Sequence, residues 1–259
     1  MSFCIITRDD ELSKALSLEI KSKINQSYDE SNPDIVIAVG GDGTLLQAFH
    51  KYPNASLFGI HTGHLGFYSN YSPSDIDEIV SEINNNSFNI EQIDLISVDF
   101  IDEDNNKYHD NALNEITIVG PTRTLRLDVF ISGEYFERFR GTGFCISTPT
   151  GSTAYNKSLN GSVIDPSLKC IQLTEIAGIN SNSYRTLSSP LVLSYDKKIK
   201  LKAFNIHDAY ITVDHKSYLV NKFKEMDVYY AGAKLKMAYK NHEEFLTRIK
   251  RTFLKSNQE

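Results

Sequence analysis

The sequence lacks a long apolar run, a cluster of basic residues and a cysteine framework. No hydrophobic stretch approaches the ~18 residues that a spanning helix requires, and the N-terminal segment has neither the basic start nor the apolar core of a signal peptide. The net charge of −6, without a compensating basic run, argues against a protein that binds nucleic acid or a membrane surface. We therefore expect a cytoplasmic protein with neither kind of partner.

Cysteine and histidine give no indication of a metal site. The cysteines at positions 4, 145 and 170 are too scattered for disulfides or a zinc centre, and are best explained as small buried side chains in a reducing compartment. His50, His61 and His64 lack the i, i+4 spacing of helical zinc ligands. We therefore assign no metal-ligating residues.

The strongest local signal lies in residues 34–49. Ile35–Val39 is a β-branched apolar run typical of a buried parallel strand, and a helical pattern begins at Thr44. Between them stands Gly-Gly-Asp-Gly, residues 40–43, whose glycines let backbone N–H groups approach a phosphate next to a helix N-terminus. The Asp42 carboxylate would repel phosphate unless it binds Mg²⁺ or accepts a proton from an attacking hydroxyl. The alternative is a tight turn with a solvated aspartate.

Strand and helix patterns alternate up to about residue 94, which predicts an α/β domain. The loop His61-Thr-Gly-His-Leu-Gly-Phe67 follows a predicted strand at its carboxyl end, where open α/β sheets bind ligands. Beyond residue 94 the pattern becomes mainly β, with two short helical pieces predicted at about 154–159 and 170–178.

The last twenty residues return to a helical pattern, in which Phe245, Ile249 and Phe253 share one face. An amphipathic helix that follows a β domain must bury its apolar face, and packing back on the first domain is the simplest solution. The predicted limits are therefore 1–94 plus 240–259 for the α/β domain and 95–239, including a strand-like stretch at 226–239, for the β domain.

Four polar stretches of the second domain are candidate ligand contacts, and each has a structural alternative. Asn114-Glu115 lies in a strand pattern, where the glutamate is either buried and functional or solvated. Residues 138–143 join two arginines to a glycine turn, either a phosphate contact or a hairpin corner. Residues 147–158 concentrate hydroxyl groups beside Lys157, which favours a ligand-binding turn over an ordinary loop. Val213-Asp214-His215 is either a ribose contact or a polar strand end, and spacing alone favours the latter.

Together these residues resemble one family, the bacterial NAD kinases. The matching motifs occur in family order from about residue 34 to residue 215. Gly-Gly-Asp-Gly alone is shared with diacylglycerol, sphingosine and phosphofructokinase-type enzymes, whereas residues 147–158 together with Asn114-Glu115 are highly specific. The matching segments are Gly40–Thr44, His61–Phe67, Asn114-Glu115, Phe139–Gly141, Ser147–Ser158, Gln172–Ala177, Ser189–Leu191 and Val213–His215.

The resemblance implies transfer of a phosphoryl group from ATP, with Mg²⁺ or another divalent cation, to the 2′-hydroxyl of the adenosine ribose of NAD, giving NADP. It also implies a Rossmann-like first domain, a mainly β second domain and a homo-oligomer, expected to be a tetramer. Asp42 would be the base on the 2′-hydroxyl. The residues expected to bind substrate or nucleotide are Gly41, Gly43, Phe67, Asn114, Glu115, Arg140, Thr142, Thr150, Thr153, Ala154, Tyr155, Asn156, Lys157, Ser158, Ala177 and Asp214.

Two segments depart from the family pattern. Thr142 stands where the family commonly has aspartate, and Leu159-Asn160-Gly161-Ser162 stands where it commonly has Leu-Gly-Gly-Ala. Both departures adjoin the expected ligand loop, so they bear on dinucleotide binding more than on the reaction class. The competing hypotheses are a non-catalytic nucleotide-binding homologue and another kinase of the Gly-Gly-Asp-Gly type.

Overall fold

The computed structural model describes residues 1–63, 66–182, 185–230, 232–240 and 245–254, with the side chains of 206 and 207 excepted. The chain forms two compact units. The first comprises Met1–Ile93 with Lys234–Glu259, and the second comprises Asp94–Ala233. Among the described residues, no helix combines the length and apolarity needed to cross a membrane.

The elements of the described residues alternate between strand and helix in the first unit and are mainly strands in the second. The strands are β1 Ser2–Thr7, β2 Ser27–Tyr28, β3 Ile35–Gly40, β4 Ser56–His61, β5 Asn89–Asp94, β6 Ile96–Asp102, β7 Lys107–Ala112, β8 Glu115–Val119, β9 Leu125–Ile131, β10 Glu134–Gly141, β11 Gly143–Ser147, β12 Cys170–Ile176, β13 Leu191–Ser194, β14 Ile199–Val213, β15 Lys216–Tyr229 and β16 Lys234–Tyr239. The α-helices are α1 Glu11–Lys23, α2 Asp42–Lys51, α3 Ile76–Asn85, α4 Tyr155–Ser158 and α5 Phe245–Ile249; 3-10 turns span Pro73–Asp75 and Thr150–Thr153, and a π-helical turn spans Lys250–Leu254.

The first unit is a mixed α/β domain built on a sheet of order β2-β1-β3-β4-β16-β5. Strands β1, β3 and β4 pair in parallel, which requires helical crossovers and buries the apolar run of β3 on both faces. Helix α1 is capped by Asp10, whose carboxylate accepts the N–H of Ser13 at 3.0 Å. Helix α3 buries the predicted face of Ile76, Ile79, Val80 and Ile83.

Strand β16 returns the chain from the second unit to the first sheet. The stretch 226–239 was predicted as part of the β domain, but its second half, Lys234–Tyr239, pairs in parallel with β4. The switch between units therefore falls at residue 234 rather than at 240. The apolar side chains of β16 explain this placement, because Leu235, Met237 and Ala238 are fully buried in the first unit, while Lys234 and Lys236 are exposed.

The second unit is a mainly β domain around one large apolar core. Its sheet runs β13-β12-β11-β8-β14-β15-β6-β7, and β9 joins β10 to β14. The pairings are antiparallel, and the core includes the fully buried rings of Phe100, Phe139, Phe144 and Phe223. The helix predicted at 170–178 is wrong. This segment is β12, held between β11 and β13, and burial of most of its side chains on both faces hides the strand alternation.

Candidate functional site

The glycine stretch of the first unit begins helix α2 directly. Gly41 is the N-cap with φ −121°, and Asp42 is the first helical residue, two positions before the predicted helix start at Thr44. Among the described glycines, positive φ occurs at Gly133 and Gly232, so the stretch does not use glycine for a left-handed turn. A Cβ on Gly40 would overlap the Thr44 hydroxyl, whereas a Cβ on Gly41 or Gly43 would meet open space.

The carboxylate of Asp42 is held by the backbone of the loop after β4. Oδ2 accepts the N–H of Phe67 at 2.8 Å, and Oδ1 accepts the N–H of Tyr68 at 3.1 Å. The Cα of Gly66 lies so close that a Cβ there would overlap the carboxylate. Each carboxylate oxygen has two lone pairs, so one acceptor position remains on each oxygen for a substrate hydroxyl. The structure thus brings together the predicted residues Asp42 and Phe67.

The loop at 66–70 is in turn contacted by the C-terminal segment, residues 245–254. Arg248 donates from Nη1 to the Phe67 carbonyl at 2.6 Å and from Nη2 to Oδ1 of Asn70 at 3.0 Å. Arg251 donates to the Gly66 carbonyl at 3.5 Å. The rings of Phe67 and Phe253 lie 5.6 Å apart between centroids. Gly66, Arg248 and Arg251 were not predicted as functional. Gly66 lay inside a recognised motif, but no local signal could have linked the two arginines to it.

In the second unit, Asp214 fixes the backbone of the Asn114-Glu115 pair. Its carboxylate accepts the N–H groups of Leu113, Asn114 and Glu115 at 2.9, 2.7 and 3.3 Å. Asp214 itself has φ +52°, a left-handed conformation that aspartate tolerates in turns. Asn114 stands in the bend before β8 and not within a strand, and Glu115 is the first residue of β8. The Asp214 side chain thus supports Asn114 and Glu115 by binding their backbone N–H groups.

Glu115 is a buried carboxyl with an unsatisfied oxygen. The residue is 8% exposed, and its Oε2 has no hydrogen-bond partner among the described residues. Burial, followed by the nearby Asp214 charge, raises the pKa of the Glu115 carboxyl from 4.5 to about 8, and the backbone N–H of Tyr155 partly opposes the shift. A buried polar atom without a partner costs free energy, which makes this oxygen a candidate ligand contact.

The stretch 147–158 divides into residues that build the loop and residues at its surface. Thr148 accepts the N–H of Gly151 and donates to the Leu113 carbonyl at 2.6 Å, which ties the stretch to the Asn114-Glu115 bend. Asn156 is fully buried. Its amide donates to the Ser152 and Ser162 carbonyls and accepts the Thr174 hydroxyl. The side chain of Asn156, predicted to bind the dinucleotide, is therefore engaged in holding the loop.

The other predicted residues of this stretch differ in exposure. Thr153 is buried and bonds to the Thr150 carbonyl, and Thr150 and Ala154 are half-buried. The exposed positions are Tyr155, Lys157 and Ser158. Asn160 has φ +60°, a left-handed conformation that glycine adopts freely and that asparagine adopts more often than most other residues.

Arg140, Thr142 and Ala177 lie around one close approach of β10 to the end of β12. The Arg140 carbonyl accepts the N–H of Ile179 at 2.8 Å, and the N–H of Thr142 donates to the Ile176 carbonyl at 2.9 Å. Ala177 has φ +47°, and a Cβ on the intervening Gly141 would overlap this backbone. These three predicted residues are thus neighbours in the fold.

The described residues hold no group of three or more histidine, cysteine, aspartate or glutamate side chains that could hold a metal ion. The two units provide two separate sets of polar groups. The first has one carboxylate at a glycine-rich helix N-terminus, and the second has a buried glutamate beside a hydroxyl-rich loop. A carboxylate in reach of a hydroxyl, next to a phosphate-binding helix N-terminus, is suited to phosphoryl transfer to an alcohol.

Comparison with known proteins agrees with this class. Residues 7–88 match the model of the ATP-NAD kinase N-terminal domain, and residues 113–238 match that of the ATP-NAD kinase C-terminal domain. An NAD kinase of Geobacillus stearothermophilus is 42% identical over 262 residues, covering 97% of this chain and 96% of the relative. An NAD kinase of Staphylococcus aureus strain JH9 is 39% identical over 274 residues, covering both chains completely.

Solved structures are similar to the chain as well. An NAD kinase from Archaeoglobus fulgidus in complex with ATP has a TM-score of 0.76 at 25% identity, covering 95% of this chain and 96% of the other. The fold is also that of yeast NADH kinase complexed with NADH, with a TM-score of 0.84 at 19% identity, covering 100% of this chain and 89% of the other. The fold and sequence therefore define a two-domain phosphotransferase. The chain belongs to the NAD kinase family.

Proposed function

We propose that the chain transfers the terminal phosphoryl group of ATP to the 2′-hydroxyl of the adenosine ribose of NAD, giving NADP. The observation that carries the proposal is the Asp42 carboxylate, held by two backbone N–H groups at the N-terminus of α2. A site that only bound phosphate would gain nothing from a negative charge there. A base that orients a hydroxyl needs this charge.

Asp42 contributes to the reaction mainly by orienting the 2′-hydroxyl. Phosphoryl transfer passes through a loose transition state, so most of the rate acceleration comes from alignment and from neutralisation of charge. The amides of Phe67 and Tyr68 fix the carboxylate plane, and the remaining lone pairs accept the 2′-hydroxyl and take its proton late in the transfer. The open space before Gly41 and Gly43 supports our assignment of the phosphates to this helix N-terminus.

The polar cluster of the second unit is assigned to the dinucleotide. The unsatisfied Oε2 of Glu115 supports a hydrogen bond to a polar group on the adenosine portion, such as a ribose hydroxyl, which can both donate and accept. Asn114 is proposed to hold the same portion. The remaining contacts proposed for the dinucleotide come from Phe67, Arg140, Thr142, Thr150, Thr153, Ala154, Tyr155, Lys157, Ser158 and Ala177, with Asn156 and Asp214 in supporting positions.

Mg²⁺ is proposed to enter as its complex with ATP. We assign the remaining acceptor position on each Asp42 oxygen to the hydroxyl, and the metal to the phosphates of ATP. The phosphate oxygens of ATP are hard ligands that suit Mg²⁺. The bound cation would supply charge neutralisation at the transferred group.

The proposal also covers the domain organisation, the oligomeric state and the cellular compartment of the protein. We propose a Rossmann-like domain of residues 1–93 and 234–259, a dinucleotide-binding β domain of residues 94–233, and a C-terminal segment that packs on the first domain. The contacts of Arg248 and Phe253 with the loop at 66–70 support the last point. A homotetramer in the cytoplasm is proposed from the resemblance, and the free thiols of the three cysteines agree with a reducing compartment.

Asp42→Asn tests the proposed function. The purified variant and the parent chain are incubated with ATP, Mg²⁺ and NAD, and NADP is measured with an NADP-specific dehydrogenase. Loss of a positioned general base should lower kcat by roughly 10²- to 10⁴-fold. Asp9→Asn is the matched control, since the Asp9 side chain is 93% exposed in the same unit.

The outcome also separates the competing hypotheses. A folded parent chain that binds NAD but forms no NADP would be a non-catalytic homologue. Phosphorylation of a sugar or diacylglycerol in place of NAD would indicate another kinase of the Gly-Gly-Asp-Gly type. Parental turnover by Asp42→Asn would remove Asp42 from the role of base.

A further inference from the structure

We propose that Arg248 is a positioning residue for the reaction, acting on Asp42 through the peptide group that joins Phe67 to Tyr68. The proposal rests on the proposed role of Asp42 as base. Arg248 and Asp42 lie on opposite sides of one planar peptide group. Its carbonyl oxygen accepts Nη1 of Arg248 at 2.6 Å, and its N–H donates to Oδ1 of Asp42 at 3.1 Å.

The planarity of the peptide bond makes this contact directional. In a trans peptide the C=O and N–H bonds point in opposite directions and turn together, so an anchor on the oxygen fixes the direction of the N–H. A short charge-assisted hydrogen bond to the oxygen also polarises the group and strengthens its N–H as a donor. Arg248 therefore orients and strengthens one of the two bonds that hold the carboxylate.

The adjacent peptide group repeats the arrangement. The carbonyl of Gly66 accepts Nη2 of Arg251 at 3.5 Å, and the N–H on the far side of the same peptide, that of Phe67, donates to Oδ2 of Asp42 at 2.8 Å. Each oxygen of the carboxylate is thus connected to an arginine of the C-terminal segment by one peptide. The longer contact of Arg251 makes it the weaker anchor, so the larger effect is assigned to Arg248.

An indirect connection suits a base better than a direct ion pair. A guanidinium bonded to the carboxylate would occupy the lone pairs that accept the substrate hydroxyl and would lower their basicity. A guanidinium behind the peptide fixes the carboxylate and leaves these lone pairs accessible. The second bond of Arg248, to Oδ1 of Asn70 at 3.0 Å, anchors the guanidinium on the same loop.

The experiment is a double-mutant cycle between Arg248→Ala and Asp42→Asn. Loss of alignment in a preorganised site costs about 10- to 100-fold. In the parent background, we expect Arg248→Ala to lower kcat by this factor with the KM for NAD unchanged. In the Asp42→Asn background the same change should have almost no effect, because the group that it positions is gone. Lys250→Ala, an exposed cation of the same segment, is the matched control.

Three results would overturn the inference while leaving the proposed function intact. These are an unchanged kcat for Arg248→Ala, an equal loss in both backgrounds, or an equal loss from Lys250→Ala. Parental turnover by Asp42→Asn would remove Asp42 from the role of base and overturn this inference with it, whereas a parent chain that forms no NADP would overturn the proposed function. If Arg248→Ala does not fold, as judged by its thermal transition, Arg248→Lys is taken through the same cycle. Lysine keeps one donor without the planar fork, and a smaller kcat loss confined to the parent background is expected.

Discussion

Replacement of Glu115 by glutamine should remove a large pH dependence of stability. The folded protein has a Glu115 pKa of about 8 against 4.5 for an unperturbed carboxyl. Between these values the folded state keeps a proton that the unfolded chain has lost, so unfolding releases it. The free energy of unfolding therefore falls as pH rises, by about 1.4 kcal/mol per pH unit, and stops falling above pH 8.

The full shift corresponds to roughly 4–5 kcal/mol, which for a protein of this size is on the order of 10–15 °C in Tm. Glutamine has nearly the same shape and does not titrate. The variant should match the parent near pH 5 and become progressively more stable than the parent up to pH 8.5. Because other groups titrate in both proteins, the informative quantity is the difference in Tm between parent and variant at each pH.

Thermal unfolding at pH 5.5, 7.0 and 8.5 measures this difference. Glu134→Gln serves as the control, because it makes the same chemical change at a glutamate that is exposed at the start of β10. Parallel profiles for Glu115→Gln and the parent would refute the buried, proton-retaining carboxyl. They would also weaken the argument that Oε2 is reserved for a ligand.

Three further predictions concern single side chains. Gly66→Ala places a methyl group against the Asp42 carboxylate and should lower kcat, measured in a steady-state assay, by about 10- to 100-fold. Circular dichroism should show that the variant is still folded. Thr142→Asp supplies the carboxylate of the family pattern, and should lower the KM for NAD about 10- to 150-fold with little change in kcat; an unchanged or higher KM would show that the loop has adapted to threonine. Phe253→Ala removes a half-buried ring that stacks near Phe67 and should lower Tm by several degrees, whereas Leu254→Ala, at 68% exposure, should not.

Most of the fold could be predicted from hydrophobic periodicity. The α/β alternation of the first ninety residues and the long β region are visible in the sequence, because amphipathic helices and half-buried strands keep their periods. The two errors have different causes. Residues 170–178 are mostly buried on both faces and lose the alternation of a strand, whereas nothing in the sequence of β16 indicates which sheet it pairs with.

At the candidate site, the sequence shows which residue types are present but not which of them hold the protein itself. Amide and hydroxyl groups have the same appearance in a sequence whether they bind a ligand or the protein itself. Asn156 and Asp214 were both predicted as ligand contacts, yet in the structure their side chains hold the backbone of loops. The connection from Arg248 to Asp42 joins residues more than two hundred positions apart, so only the folded chain reveals it.

The glycines around Asp42 are present for different structural reasons, which the sequence motif alone does not distinguish. A glycine is required by a left-handed backbone, by close approach of another part of the protein, or by close approach of a ligand. Close approach of the protein accounts for Gly40 and Gly66, where a Cβ would overlap Thr44 or the Asp42 carboxylate. At Gly41 and Gly43 neither of the first two reasons applies, since φ is not left-handed and a Cβ would meet open space. Close approach of a ligand is the third reason, and in the mechanism proposed above we assign these two glycines to the phosphates of ATP.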